Sequence, residues 1–374
     1  MKKSQFFVIL FLIFSLCGCT NRGGVDDLSS FDHLAYKPVE ASGFTIKTQS
    51  AQAESGAANK SAEASLITIK SPWQGSQAGD SLNFIIKQPA QRIVAMSSTH
   101  VAMLDRLGAV DRIVGVSGID FIANEYIQTH RDKIVDVGNE QYVDFEKLIA
   151  LNPDLVLIYG VNGPSAMEFQ MKELKIPFIY IGDYIEQSPL GKAEWIVALA
   201  QIIGCRERGI EIFNEIRERY DTVRAKVSNV TTKPKVMLNV PYNDSWFMPS
   251  VNNYAVRLIN DAGGEYLFAE NESNASQPID IERAYQLASD ADVWLNPGRL
   301  SSIDEMKNML PRFAKVGVLK KGKVYNNDAR STPRGGNDFY ESGTINPDVV
   351  LSDLISIFHP EIAADSLTYY RQLK

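Results

Sequence analysis

The sequence predicts an α/β protein built as two similar Rossmann-like lobes, each a parallel sheet flanked by helices, with a long rigid helix joining them and a cleft between. Three observations carry that prediction. From Leu66 onward, short apolar runs alternate with amphipathic helical patterns, as expected of a layered α/β fold. Landmarks of the first half return in the second half in the same order, roughly 135–155 residues later. Between the halves, about Pro189 to Val227, the pattern is helical almost throughout.

The chain opens with Lys2 and Lys3, then an apolar run from Phe6 to Leu16 interrupted by Ser15 alone, then Leu16-Cys17-Gly18-Cys19. Eleven residues are too few to span a bilayer. A positive start, a short apolar stretch and small residues after it read as a signal peptide over residues 1–18. The Leu-x-Gly-Cys ending resembles a bacterial lipobox, which implies cleavage before Cys19 and lipidation of its thiol; the alternative is a plain secretory signal with Cys19 incidental. Residues 19–65 are expected to be a flexible tether. The stretch from Ser50 to Ser65 holds no large apolar side chain, so it cannot bury enough surface to offset its ordering entropy. A lipid anchor with such a leash keeps a domain at a membrane.

The first lobe is assigned to residues 66–188. Strands are expected at Leu66–Lys70, Leu82–Lys87, Arg92–Met96, Ile113–Val116, Leu155–Tyr159 and Phe178–Ile181, with helices after Ser97-Ser98-Thr99-His100, near Phe145–Leu151 and near Ala166–Leu174. Strands separated by helices pair in parallel. The connector, residues 189–228, starts with Pro189, suited to a first helical turn. Trp195, Leu199 and Ile202 follow at helical spacing, Gly204 breaks the pattern, and Ile210, Phe213, Tyr220 and Val223 resume it. Cys205 in that break reads as a packing residue.

The second lobe, residues 229–374, repeats the order. Lys235-Val236-Met237-Leu238 leads to a helix ending at Ala262-Gly263-Gly264, as Arg92–Met96 leads to Leu107-Gly108. Asp144-Phe145-Glu146-Lys147 runs into Asp154-Leu155-Val156, and Asp280-Ile281-Glu282-Arg283 runs into Asp292-Val293-Trp294.

Composition excludes several classes of function. With 374 residues, 45% hydrophobic and 22% charged, the chain suits two globular domains. Its 38 Lys and Arg against 45 Asp and Glu give a net charge of −7, so a nucleic-acid backbone is not an expected partner. Three cysteines and four scattered histidines build neither a disulfide scaffold nor a metal cluster, and no cofactor is expected. No dinucleotide, phosphate-loop, nucleophile-elbow or zinc-protease motif stands at a useful position, so catalysis is not expected.

These features together resemble the substrate-binding proteins of ABC importers for iron chelates and cobalamin. Arg92-Ile93-Val94 with its Ser-rich loop, and above all Asp144-Phe145-Glu146-Lys147-Leu148-Ile149-Ala150-Leu151-Asn152-Pro153-Asp154-Leu155-Val156, carry the resemblance, which runs from about Arg92 to Pro360. It implies a monomeric carrier that delivers its cargo to an ABC permease dimer with ATPase subunits. It also implies that Glu146 and Glu282 pair with arginines of the permease. Each glutamate equally suits the first turn of a helix, where a carboxylate gains about 0.3–1 kcal/mol from the macrodipole.

Open α/β sheets bind at the carboxyl ends of their strands, which points to Ser97, Ser98, Thr99, Tyr159, Asn162, Asp183 and Tyr184 on the first lobe. On the second it points to Tyr242, Trp246, Phe247 and the loop carrying Arg330, Arg334, Asn337 and Tyr340. Two arginines near Gly335-Gly336 could clamp an anionic ligand, or belong to a solvated turn. The aromatic cluster could face a macrocycle, or pack the core of its lobe. Tyr142 or Tyr159 could serve as a phenolate ligand to haem iron, although neither has an identifiable partner to lower its pKa. The expected cargo is an iron complex, a ferric siderophore or haem, with cobalamin the alternative. A zinc or manganese importer's binding protein and a periplasmic hydrolase are further alternatives, and the sequence lacks the histidine sets and paired bases they need.

Overall fold

The computed structural model describes residues 28–50, 64–77, 79–242, 245–273, 275–363 and 365–374. The expected signal peptide and Cys19 lie outside these residues.

Part of the expected tether is a folded sheet. Strands β1 (His33–Tyr36), β2 (Phe44–Thr48), β3 (Ser65–Lys70) and β4 (Ser81–Ile86) form an antiparallel meander in that order. Along β2, Phe44, Ile46 and Thr48 are buried while Thr45 and Lys47 are half-exposed, the period-two alternation of a half-buried strand. Burying Phe44 and Ile46 offsets the ordering entropy that the polar flanks alone could not.

The first lobe holds β5 (Ile93–Ala95), α1 (Ser98–Arg106), β6 (Ile113–Val116), α2 (Glu125–Thr129), β7 (Val135–Asp136), the small β8 (Gly138–Asn139) and β9 (Tyr142–Val143), α3 (Phe145–Leu151), β10 (Leu155–Ile158), α4 (Glu168–Glu173) and β11 (Phe178–Tyr180). Its sheet runs β11-β10-β5-β6-β7, parallel throughout. The connector is α5 (Pro189–Glu194), α6 (Ile196–Ile202) and α7 (Arg206–Ala225). The second lobe follows with β12 (Lys235–Leu238), β13 (Trp246–Met248), α8 (Tyr254–Asp261), β14 (Glu265–Tyr266), β15 (Gln277–Ile279), α9 (Ile281–Asp290), β16 (Val293–Leu295), α10 (Ile303–Met309), α11 (Gly317–Lys320), β17 (Val324–Asn326), α12 (Pro347–Phe358) and β18 (Arg371–Gln372). Its sheet runs β14-β12-β16-β17-β18, parallel except for the last strand. All four residues of β10 and the last three of β12 are buried, as sheets covered on both faces require.

The repeat seen in the sequence has structural content. Asp144 Oδ1 caps α3 by accepting from Lys147 N at 3.0 Å, and Asp280 Oδ1 caps α9 by accepting from Arg283 N at 2.7 Å. Asp154 Oδ2 accepts from the backbone of Gln91 and Arg92, and Asp292 Oδ2 accepts from that of Lys235. Each aspartate therefore ties the start of one inner strand to the start of its neighbour. Gly108 and Gly263 both end a helix with positive φ, 73° and 76°.

The connector is rigid by packing. Gly204, at φ 80°, separates α6 from α7 as expected. Gly209 lets the two helices touch, since a Cβ there would lie 2.4 Å from that of Ala200. The backbone oxygen of Ile202 bonds Ala90 N, and Arg112 Nη1 donates to Ile203 O, so α6 is fastened to the first lobe. The 20-residue α7, about 30 Å long, is fastened to the second lobe by Arg219 Nε to Asp348 Oδ2 (2.7 Å) and Tyr220 OH to Asp261 Oδ2 (2.8 Å).

Candidate functional site

A cleft of about 1030 Å³ opens between the lobes. On the first lobe it is lined by residues that follow β5, β10 and β11. Ser97 is the N-cap of α1, its Oγ accepting from Thr99 N at 3.3 Å and lying 2.9 Å from Thr99 Oγ1, so Ser97, Ser98 and Thr99 present hydroxyls at a helix start. Tyr159, Asp183 and Tyr184 continue this wall. On the second lobe Ser250, Asn252, Asn253, Tyr254 and Arg257 surround the start of α8, whose N-cap Asn253 accepts from Ala255 N at 2.8 Å. Tyr340 and Thr344 complete that side.

The floor is a buried ion pair. Lys192, from α5, donates from Nζ to the backbone oxygen of Asp183 at 2.8 Å and lies 3.8 Å from Asp183 Oδ2. Burial pulls the Lys192 amine below its usual pKa, and the Asp183 carboxylate opposes that pull. His100, fully buried, lies 3.9 Å from Asp183 Oδ1. Burial lowers its pKa to about 4, again against Asp183, so its ring is neutral at pH 7. Lys192 Nζ also sits 4.9 Å from the centre of the Tyr254 ring, a cation–π contact between the connector and the second lobe. Desolvation raises the pKa of the phenols of Tyr159 and Tyr254, so both stay protonated.

Seven sequence-predicted residues meet in this cleft: Ser97, Ser98, Thr99, Tyr159, Asp183, Tyr184 and Tyr340. The other seven do not line it. Asn162 is exposed beyond the rim. Trp246 is core, 1% exposed, with its Nε1 donating to Leu238 O at 3.1 Å and its ring 5.5 Å from that of Phe313 and 5.7 Å from that of Trp294. Tyr242, before β13, and Phe247, on it, are exposed, and Tyr242 N bonds Ser245 O. Arg330 Nε pairs with Asp338 Oδ2 and Arg334 Nη1 with Asp120 Oδ2, each at 2.5 Å. Asn337 caps its own loop, its Oδ1 accepting from Phe339 N at 3.0 Å.

That loop joins the lobes. Arg334 and Asp120 belong to different lobes, and Glu341 Oε2 accepts from Ala123 N at 2.7 Å across the same seam. Gly336 is needed there because a Cβ would sit 2.2 Å from Phe121 O. Burial raises the Glu341 carboxyl to about 7; Asp338 and Asp105 add to the rise, and the N–H groups of Ala123 and Asn124 oppose it.

Glu146 and Glu282 occupy the first turns of α3 and α9, both exposed. Glu282 Oε1 accepts from Arg312 Nη1 at 2.7 Å. Among the described residues, no group of three or more His, Cys, Asp or Glu is placed to hold a metal ion, and no helix is long and apolar enough to cross a membrane.

The residues that sequence reasoning missed are Lys192, the Ser250–Tyr254 turn and a group from the amino-terminal sheet that includes Glu40, Ser42 and Trp73. The repeat could have found the second of these. Ser250 to Asn253 leads into α8 as Ser97 leads into α1, but β13 intervenes after β12 and displaces the turn from the strand end.

Residues 93–330, well over half of the chain, match the family model described as periplasmic binding protein. An uncharacterized lipoprotein of Methanocaldococcus jannaschii is 27% identical over 311 residues, 80% of this chain and 72% of that protein. A vitamin B12-binding protein of Vibrio parahaemolyticus is 25% identical, covering 68% of this chain and 88% of its own. Among solved structures, a periplasmic heme binding protein from Pseudomonas aeruginosa superposes with a TM-score of 0.58 at 17% identity, over 76% of this chain and 98% of that one. The periplasmic vitamin B12 binding protein of Vibrio cholerae gives 0.53 at 17% identity, over 74% and 99%. With two parallel-sheet lobes, a helical connector and a polar cleft between them, the chain belongs to the periplasmic binding protein family, carriers that hand a substrate to a transporter.

Proposed function

We propose that this protein is the exported, lipid-anchored substrate-binding component of an ABC importer and that its cargo is a corrinoid of the cobalamin class. The observation that carries the cargo assignment is the charge of the cleft. Its lining holds three carboxylates, Glu40, Asp183 and Glu186, against two cations, Lys192 and Arg257. Lys192 already faces Asp183, and Arg257 Nε pairs with Asp261 Oδ2 at 3.0 Å. A polyanionic ferric siderophore or the propionates of haem would therefore meet more carboxylates than cations, and no cation without a carboxylate neighbour, among the described lining residues. The arginine pair that pointed to an anionic chelate is engaged outside the cleft.

Hydroxyls, amides and aromatic faces remain, and these suit a large, nearly neutral ring bordered by carboxamides. The protonated phenols of Tyr159 and Tyr254 act as hydrogen-bond donors and are poor ligands for haem iron. A neutral hydroxamate-type iron chelate fits the same walls and is the second reading. The vitamin B12-binding relatives support the first.

Capture is non-covalent and involves little lobe movement, because α7 and the Glu341 seam both resist opening. Delivery uses Glu146 and Glu282 as contacts for permease arginines. The lipoprotein relatives support anchoring through Cys19.

The test is calorimetric titration of the purified chain with cyanocobalamin, dicyanocobinamide, haemin, ferrichrome and ferric enterobactin. Saturable binding of the corrinoids at one per chain is expected. Binding of haemin or enterobactin without a corrinoid overturns the cargo assignment, and binding of none overturns the carrier reading.

A further inference from the structure

The family model starts at residue 93, so the sheet β1–β4 lies entirely outside it. That sheet nevertheless reaches the cleft at two places. The β3–β4 hairpin tip places Trp73, Gln74 and Ser76 there, and the strap between β1 and β2 places Glu40 and Ser42 there.

Both pieces are fixed from below. Gln74 N donates to Val161 O at 3.0 Å, Ser76 Oγ donates to Trp73 O at 2.7 Å, and the Trp73 ring meets Tyr180 edge-on at 5.7 Å. Gly160 admits Trp73, because a Cβ there would lie 3.1 Å from the Trp73 Cβ. The strap is held by two buried carboxylates. Glu194 accepts from Tyr36 OH and from the backbone of Val39, Glu40 and Ala41, at 2.6–2.9 Å. Glu186 accepts from Ser42 N, Gly43 N and Trp195 Nε1, at 2.9–3.1 Å. A sheet that served only to cover the hydrophobic edge of the lobe would need no strap fastened at the rim of the cleft.

We propose that the hairpin tip Trp73–Ser76 and the strap Glu40–Ser42 form a third wall of the cargo site and restrict which cargo fits. Trp73 lines the cleft with an aromatic side chain and Gln74 with an amide, and Ser76 and Ser42, whose hydroxyls donate to Trp73 O and Glu186 Oε2, present acceptor oxygens. Such groups select a ring with polar substituents over a bare apolar one. Holding them in place before binding lowers the ordering cost of capture. The inference rests on the carrier reading above.

Three variants test it by calorimetry with the same panel of cargos. Trp73→Ala and the double variant Trp73→Ala/Gln74→Ala are expected to raise Kd for cyanocobalamin about tenfold or more. Phe84→Ala, on β4 and packed 6.2 Å from Phe178 away from the cleft, is expected to lower Tm and leave Kd unchanged. If the wild type binds cyanocobalamin and the double variant binds it equally well, the third wall is overturned and the carrier reading stands. If Phe84→Ala weakens binding as much as Trp73→Ala, the sheet acts through stability alone and the wall is overturned. If the wild type binds another cargo of the panel, Kd for that cargo decides in the same way. If it binds none, both readings fall together.

Discussion

The two lobes share a frame and differ at the cleft. The inner strands, their aspartate ties and their helix caps are matched, with β5 beside β10 in one lobe and β12 beside β16 in the other. The cleft walls are matched only at the helix starts, where Ser97 leads into α1 and Ser250 to Asn253 lead into α8. The first lobe is supplemented by the strap and hairpin of the amino-terminal sheet, whereas the second inserts the β13–β15 ribbon and turns its 330–341 loop toward the opposite lobe. The frame and these helix starts are therefore repeated, while the strap, the hairpin, the ribbon and the 330–341 loop are each particular to one side.

The largest effects should appear where one lobe has something the other lacks. Trp246 is the centre of the second lobe's aromatic core, and Trp246→Ala should cost about 3–5 kcal/mol of stability in urea unfolding, with binding unchanged in the molecules that remain folded. A loss of affinity without loss of stability would return Trp246 to the cargo site. Glu194 has no counterpart in the second lobe, and its removal strands four donors. Glu194→Ala should cost about 3 kcal/mol, and hydrogen exchange should rise over residues 36–43 first. Uniform exchange across both lobes would mean that the strap is not a separate cooperative unit.

Much of the frame was legible because its signals are local. Leu155–Ile158 and Val236–Leu238 read as buried parallel strands from their own side chains, and Asp144 and Asp280 announce their helices as caps immediately before the first turn. The strand Phe44–Thr48 was not legible. Five alternating residues within polar flanks form a strand because β1 and β3 pair with them and Trp195, about 150 positions away, packs on Phe44, while Glu186 and Glu194 hold the strap that precedes them. The first-lobe half of the cleft follows from the ends of the strands. On the second lobe, Arg330 and Arg334 looked like a clamp because the partner of Arg334, Asp120, lies 214 residues upstream, although Asp338 stood within the same loop.

The seam between the lobes supplies a pH dependence that neither lobe has alone. Glu341 titrates near 7 in the fold against 4.5 as its unperturbed value. Between these values the folded state holds a proton that the unfolded state has released, so this group's contribution is full below about pH 4.5 and is lost as pH rises through 7. Glu341→Gln keeps an acceptor for Ala123 N and removes the titration. The variant should become more stable than the wild type by about 3 kcal/mol at pH 8 and match it near pH 4.5, measured by urea unfolding across that range. A parallel pH profile for both proteins would show that Glu341 titrates normally and that the seam is more hydrated than its burial indicates.

The smallest effect tests the shared frame most directly. Asp154 and Asp292 are both exposed, so burial contributes little to either, and each acts through hydrogen bonds to the backbone that starts the neighbouring strand. Asp154 accepts two such bonds and Asp292 one. Asp292→Ala should therefore cost about 1 kcal/mol and Asp154→Ala somewhat more, about 1.5 kcal/mol, in urea unfolding. The two sites lie in separate lobes with no common partner, so the double variant should lose the sum. Equal folding roles imply equal indifference to cargo, and neither change should alter Kd. If Asp154→Ala weakens binding while Asp292→Ala does not, then the first-lobe tie also positions the Ser97–Thr99 turn at the far end of β5, and frame and cleft are coupled on that side.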